Sequence, residues 1–188
     1  MFQYAILNLE SKFLRRSPFR ALRLFCCRKE VCKTMRNPKQ CGEIGETAFL
    51  HRATTLGLLV SRPFGESGRY DFVVDNGRRF CRVQVKSTAT RNTKSGYNVK
   101  AGRHLYTSRR RTPNTQASST NPVSPDPSFV PYLASEIDFL VVYLIPEDAW
   151  YIFPIAVLNG RTSLSLSAHC PTSGPFAPYA NAWHLLQE

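Results

Sequence analysis

Residues 70–86 read Tyr70-Asp71-Phe72-Val73-Val74-Asp75-Asn76-Gly77-Arg78-Arg79-Phe80-Cys81-Arg82-Val83-Gln84-Val85-Lys86. Asn76-Gly77 between two apolar runs is the strongest short signal for a β-hairpin. It predicts one strand over residues 70–75 and a return strand over 78–87, the latter with apolar and polar residues alternating. A two-residue turn would pair Asp75 with Arg78, Val73 with Phe80 and Asp71 with Arg82. Cross-strand partners point to the same face. Asp71, Arg82, Gln84 and Lys86 then share one face. Tyr70, Phe72, Val74, Cys81, Val83 and Val85 share the other, which is the better core face.

Upstream, Glu46, Phe49, Leu50, Ala53 and Leu56 recur at the period of one helix face, predicting a helix over 42–57 that stops at Gly57. Glu46 lies on the apolar stripe and so aims inward. A buried carboxylate is costly unless it is paired or bound to metal. An ion pair of Arg82 with Glu46 or with Asp71 would satisfy it structurally. The other reading is chemical. Two acids, the Gln84 amide oxygen and the Val85 backbone carbonyl make a hard oxygen set that suits Mg²⁺. Lys86 could hold an attacking water and balance phosphate charge, as phosphodiester hydrolysis requires. Glu43, one turn before Glu46, is a further candidate contact, or simply an acid favoured near a helix start.

Downstream, residues 88–131 are rich in Ser, Thr, Asn, Pro and basic residues, with no acid from Ser87 to Pro125 and Arg109-Arg110-Arg111 in the middle. A short strand near Tyr97–Lys100 and then a long basic loop near 101–131 are expected. Residues 137–145 are almost continuously apolar, as in a strand buried on both faces. Further strands are expected over 150–157 and 163–167, and a short closing helix over 179–186. Residues 1–34 hold eight Lys/Arg against two Glu and read as a poorly ordered basic extension, leaving 35–188 as the domain.

The chain has 188 residues, 25 Lys plus Arg and 13 Asp plus Glu, for a net charge of +12. That balance favours a polyanionic partner, nucleic acid or an anionic membrane. No run approaches the ~20 apolar residues of a membrane span. The six cysteines, Cys26, Cys27, Cys32, Cys41, Cys81 and Cys170, fit no zinc-binding spacing and read as free thiols in a reducing compartment. The four histidines show no paired ligand spacing.

Gly42-Glu43-Ile44-Gly45-Glu46, Tyr70-Asp71 and Gln84-Val85-Lys86 together resemble the PD-(D/E)XK nuclease superfamily. The likeness is closest to its small bacterial endonuclease domains, which include a cyanobacterial group I intron homing endonuclease. Tyr70 stands where that motif has proline, and Gln84 where it usually has an acid. The resemblance implies an α/β, restriction-endonuclease-like core: a mixed central sheet of four or five strands, with Glu46's helix on one face and smaller helices on the other. It implies Mg²⁺-dependent DNA endonuclease activity, with Mn²⁺ as a substitute. Glu46, Asp71, Gln84 and Lys86 would be catalytic, and Asp71, Gln84, Val85 and Glu46 would hold the metal. DNA contacts are expected from Arg82, Ser87, Arg91, Lys94, Lys100, Arg103, Arg109, Arg110 and Arg111. The implied partners are double-stranded DNA and further copies in a homodimer or homotetramer, in a bacterial cytoplasm at the nucleoid. A Holliday-junction-resolvase-like nuclease and a non-catalytic DNA-binding module with a decayed site are the alternatives the same residues allow.

Overall fold

The computed structural model describes residues 37–65, 68–91, 96–105, 129–167 and 174–188. The expected basic extension, Lys94 and Arg109–Arg111 lie outside these residues.

Asn37-Pro38 starts the first element. The Asn37 side chain accepts a hydrogen bond from the Lys39 N–H at 3.0 Å, and Pro38 occupies the first turn, where its missing N–H costs nothing. The resulting helix, α1, spans Pro38–Thr55, four residues longer at its start than periodicity predicts. It buries Gly45, Phe49 and Ala53, leaves Glu46 half-buried beside them, and turns Leu50 outward. Gly57, at φ +81°, takes the left-handed turn after the helix.

Strands β1 (Leu59–Ser61), β2 (Phe72–Asp75) and β3 (Phe80–Thr88) follow, and then β4 (Gly96–Lys100), β5 (Gly102–His104) and β6 (Phe129–Pro131). The last part holds β7 (Phe139–Leu144), β8 (Ala149–Pro154), the one-turn helix α2 (Ile155–Leu158) and β9 (Ser163–Ser167). The main sheet has five strands in the order β1-β2-β3-β7-β8 and is mixed: β3 and β7 run parallel, and the other neighbours are antiparallel. This is the expected α/β architecture, with the continuously apolar β7 buried along its whole length.

Both faces of that sheet are covered. α1 lies on one, where Phe49 and Ala53 meet Phe72, Val74, Cys81, Val83 and Val85, with Trp150 and Trp183 closing the layer. On the other, Leu140, Val142, Leu144, Tyr151 and Phe153 meet Tyr97, Val99, Leu164 and Leu166 of the β4–β9 ribbon, together with Leu158 of α2. A strand ribbon therefore does much of the work expected of smaller helices.

The hairpin differs from its predicted register. Four residues, 76–79, connect β2 to β3, and Asp75 pairs with Phe80, Val74 with Cys81 and Val73 with Arg82. Asn76 explains the longer turn, because its side-chain oxygen accepts from both the Arg78 and Arg79 N–H groups at 3.0 Å. The register slip is two residues, so each strand residue keeps its expected face; a slip of one would have inverted them all. Tyr70 is the exception. The chain bends at Asp71, and Tyr70 packs with the opposite core rather than with Phe72 and Val74.

Candidate active site

The bend at Asp71 opens a gap between β2 and β3. The Asp71 N–H still reaches the Val83 carbonyl at 2.9 Å, but regular pairing of the two strands begins only at Phe72. The Val85 N–H therefore donates to Asp71 Oδ2 at 2.8 Å instead of to a backbone carbonyl. In a strand the N–H and C=O of one residue point the same way, so the Val85 carbonyl also faces this gap.

Gln84 fills it. Its amide nitrogen donates to Asp71 Oδ2 at 2.6 Å and contacts the Val85 carbonyl at 3.2 Å. Its NH₂ thus stands between two oxygens that could both ligate a cation. Glu46 reaches over the same gap from α1. Glu46 and Asp71 line one cleft of about 480 Å³ together with Lys39, Glu43, Arg62 and Tyr70.

The electrostatics fit that placement. Burial raises the Asp71 carboxyl above its usual range, against the opposing pull of the Val85 N–H and the Lys86 charge. Burial also raises Glu46, and the nearby Asp71 charge adds to it, while Arg62 and Lys86 pull the other way. A carboxylate whose charge a second one disfavours, beside a buried partner, is what a shared divalent cation relieves. The donors are hard oxygens, as Mg²⁺ requires. Among the described residues no three His, Cys, Asp or Glu side chains gather as a metal site, so neutral oxygens would have to complete the shell. The residues present fit a divalent cation on those terms: Asp71, Glu46, the Val85 carbonyl and, after a turn of its amide, the Gln84 oxygen.

Lys86 lies near these acids, its ammonium 5.8 Å from the centre of the Tyr132 ring. Ser87 has another task. Its hydroxyl donates to the Cys41 carbonyl at 2.6 Å and docks the start of α1 on β3, at the point where Gly45 passes closest.

Several cations expected at DNA are engaged inside the fold. Arg82 grips Asp138, at 2.9 and 3.0 Å, and the Ala134 carbonyl at 2.9 Å, rather than Glu46 or Asp71. Arg91 pairs with Glu147. Arg103 pairs with Glu136, which also accepts the Leu133 N–H at 3.1 Å. Lys100 is exposed, 5.7 Å from the centre of the Phe129 ring. A local count of charge sees none of these acids because they come from the 133–148 region. Conversely, sequence reasoning missed Arg62, which pairs with Glu46 at 2.7 Å, and Lys39 at the cleft wall. Neither belongs to a recognisable pattern; only the fold brings them to the acids.

Comparison with known proteins points to a family. The profile of the PD-(D/E)XK endonuclease family matches residues 36–186. Among solved structures, that of a bacterial homing endonuclease matches with 27% identity and a TM-score of 0.61, covering 79% of this chain and 92% of that one. No curated protein matches. The match spans α1, the hairpin and the Gln84-Val85-Lys86 strand, and the chain belongs to the PD-(D/E)XK endonuclease family.

Proposed function

We propose that the protein is an Mg²⁺-dependent endonuclease that hydrolyses phosphodiester bonds in double-stranded DNA, with Glu46, Asp71, Gln84 and Lys86 as its catalytic set. One observation carries the reading. The Asp71 carboxylate, held by the Gln84 amide and the Val85 N–H, borders a cleft that Glu46 also lines, and the Val85 carbonyl meets the same Gln84 amide. Bound there, Mg²⁺ would supply Lewis-acid activation of the scissile phosphate and of a water.

Asp71 is the chief ligand in this reading, because its second-strand hydrogen bond from Val85 fixes the carboxylate in place. Gln84 turns its amide to present oxygen. Glu46 ligates directly or through a water. Lys86 orients the attacking water and offsets charge on the phosphate as the bond breaks. One such site cuts one strand, so double-strand cleavage calls for two copies of the chain or more. The described residues contain no helix long and apolar enough to cross a membrane. The basic balance of the chain supports a DNA partner, and a location at the nucleoid of a bacterial cytoplasm is part of this reading.

The test is incubation of the purified protein with supercoiled plasmid, in Mg²⁺ and in EDTA, with a four-way junction beside it. Nicked or linear plasmid in Mg²⁺ alone is expected. Cleavage confined to the junction would move the protein to the resolvase reading, and no cleavage of either would make it a binding module.

A further inference from the structure

We propose that Arg62 is an exchanging cation: it holds Glu46 while no divalent ion is bound, and passes to a DNA phosphate when Glu46 turns to the ion. The inference rests on the metal site proposed above.

Arg62 follows β1 at the start of the loop that leads to Asp71. Its Nη2 atom lies 2.7 Å from Glu46 Oε2, and its side chain is 70% exposed where that of Glu46 is 25% exposed. The carboxylate therefore sits inside the cleft and the guanidinium at its mouth. Arg62 also borders a second opening on the far side of Glu46, lined by Thr47, Leu50 and Val60. Its charge lowers the pKa of Asp71 as well as that of Glu46, so its field covers both acids of the site.

Arg62 contrasts with Arg82, which is forked onto Asp138 and held by backbone carbonyls as well. The Arg62 pair uses one guanidinium nitrogen, in a group that carries five donors. An exposed pair of this kind is weak, so an arriving divalent ion can displace it. The displaced guanidinium then faces the ion's positive charge across a short distance and is driven toward negative charge. A phosphate drawn into the same cleft supplies it, in the forked geometry that guanidinium favours. The two states conserve local charge: Arg62 neutralises Glu46 before the ion binds, and the substrate afterwards.

Competition of this kind is reciprocal. Arg62 should weaken binding of the ion by itself, and the ion should switch on the contribution of Arg62 to DNA binding. The experiment uses the full chain and its R62A and R62K variants. Mn²⁺ alone is titrated by calorimetry, and duplex DNA binding is measured in EDTA and in Ca²⁺. R62A is expected to bind Mn²⁺ alone roughly three- to tenfold more tightly, since a neighbouring positive charge is gone. Its DNA affinity should stay within about twofold of wild type in EDTA and fall about five- to tenfold in Ca²⁺, the loss of one forked phosphate contact. R62K should keep the charge effect on Mn²⁺ and recover part of the DNA affinity. An equal loss of DNA affinity in EDTA and Ca²⁺ would make Arg62 a fixed phosphate contact and overturn the exchange. Unchanged Mn²⁺ affinity in R62A would overturn it too. A wild-type chain that binds no Mn²⁺ overturns the metal site itself, an outcome separate from either.

Discussion

The Asp71 carboxylate takes the place that a backbone carbonyl would hold in a regular hairpin, and this substitution leaves the Val85 carbonyl to the Gln84 amide instead of a strand partner. Two predictions follow from what surrounds it. Lys86→Ala should abolish plasmid nicking in saturating Mg²⁺ and leave DNA binding within about twofold, because the lysine acts at the chemical step while affinity is spread over many cations. Nicking at the wild-type rate would remove Lys86 from the mechanism. Gln84→Glu should raise Mg²⁺ affinity by adding a charged ligand. It should also destabilise the metal-free protein by about 1–3 kcal/mol, since an ionised carboxylate cannot donate to Asp71 as the amide does. Arg82 is unable to rescue it, being committed to Asp138. A melt in EDTA and in Mg²⁺ reads both effects. A third prediction concerns pH. Asp71 and Glu46 both sit above their usual values of 3.8 and 4.5, so folding takes up protons at these groups. Their contribution favours the metal-free fold at low pH and is lost as pH rises through the raised values. A bound cation needs them ionised, so Mn²⁺ affinity should begin to fall, as pH is lowered, while still above the usual carboxylate range. Asp138 and Glu136, lowered by their arginine partners, work in the opposite sense: their support for the fold is present at neutral pH and lost on acidification through their folded values. A Mn²⁺ affinity that is flat until the usual carboxylate range is reached would contradict the raised pair. At this scale the sequence made the motif residues legible, because their types and spacing carry the chemistry. Arg62 and Asp138 were not legible, since each acts through a partner that only the fold supplies.

The helix and hairpin place that chemistry, and their contact is tight at one point. A Cβ on Gly45 would lie 2.5 Å from Ser87 Cβ and 2.7 Å from its hydroxyl oxygen. Gly45→Ala gains about 1 kcal/mol of helix propensity but forces α1 off β3, at about 1–3 kcal/mol for overpacking. It should therefore lower stability by up to about 2 kcal/mol and, by tilting Glu46 away, weaken Mn²⁺ binding. Ser87→Gly in the same chain should restore much of both, and a Gly45→Ala variant as stable as wild type would show that the contact yields freely. The element reading of the sequence succeeded where a long period was available: the inward stripe of α1, the buried β7, and β9 at its full extent. Parity protected the hairpin, for a turn of four residues instead of two moved the pairing without exchanging the faces. The start of α1 was readable in Asn37-Pro38, a cap followed by a first-turn proline, but the apolar period begins later and drew the boundary with it. β1, β5 and β6 span three residues each, too short for any alternation to declare itself.

Across the whole molecule, the net charge of +12 is not spread where the sequence order suggests. Arg82, Arg91 and Arg103 are each neutralised by an acid distant in sequence, and two of those acids, Glu136 and Glu147, face the basic 88–131 region from outside it. These pairs tie together segments of the described residues that are distant in sequence, so they contribute to the fold. In the proposed function, the positive charge that meets DNA would come from other cations, among them Lys39, Arg62, Lys86 and Lys100 of the described residues and the Arg109-Arg110-Arg111 run. This divides the arginines of one basic stretch into two classes with different signatures. Arg103→Ala should cost stability, about 1–3 kcal/mol for taking the forked partner from a carboxylate that keeps only Arg69 and the Leu133 N–H, with little change in the salt dependence of DNA binding. Replacing Arg109, Arg110 and Arg111 together with alanine should leave the melting temperature nearly unchanged. It should weaken DNA binding at low salt and reduce the slope of log affinity against log salt by about 2–3, one phosphate contact per arginine. The two measurements, a melt and a salt titration, thus separate cations that build the domain from cations that hold the substrate. Identical salt slopes in the triple variant and the wild type would show that the arginine run takes no part in binding, and would shift the DNA-binding face to the cleft mouth alone.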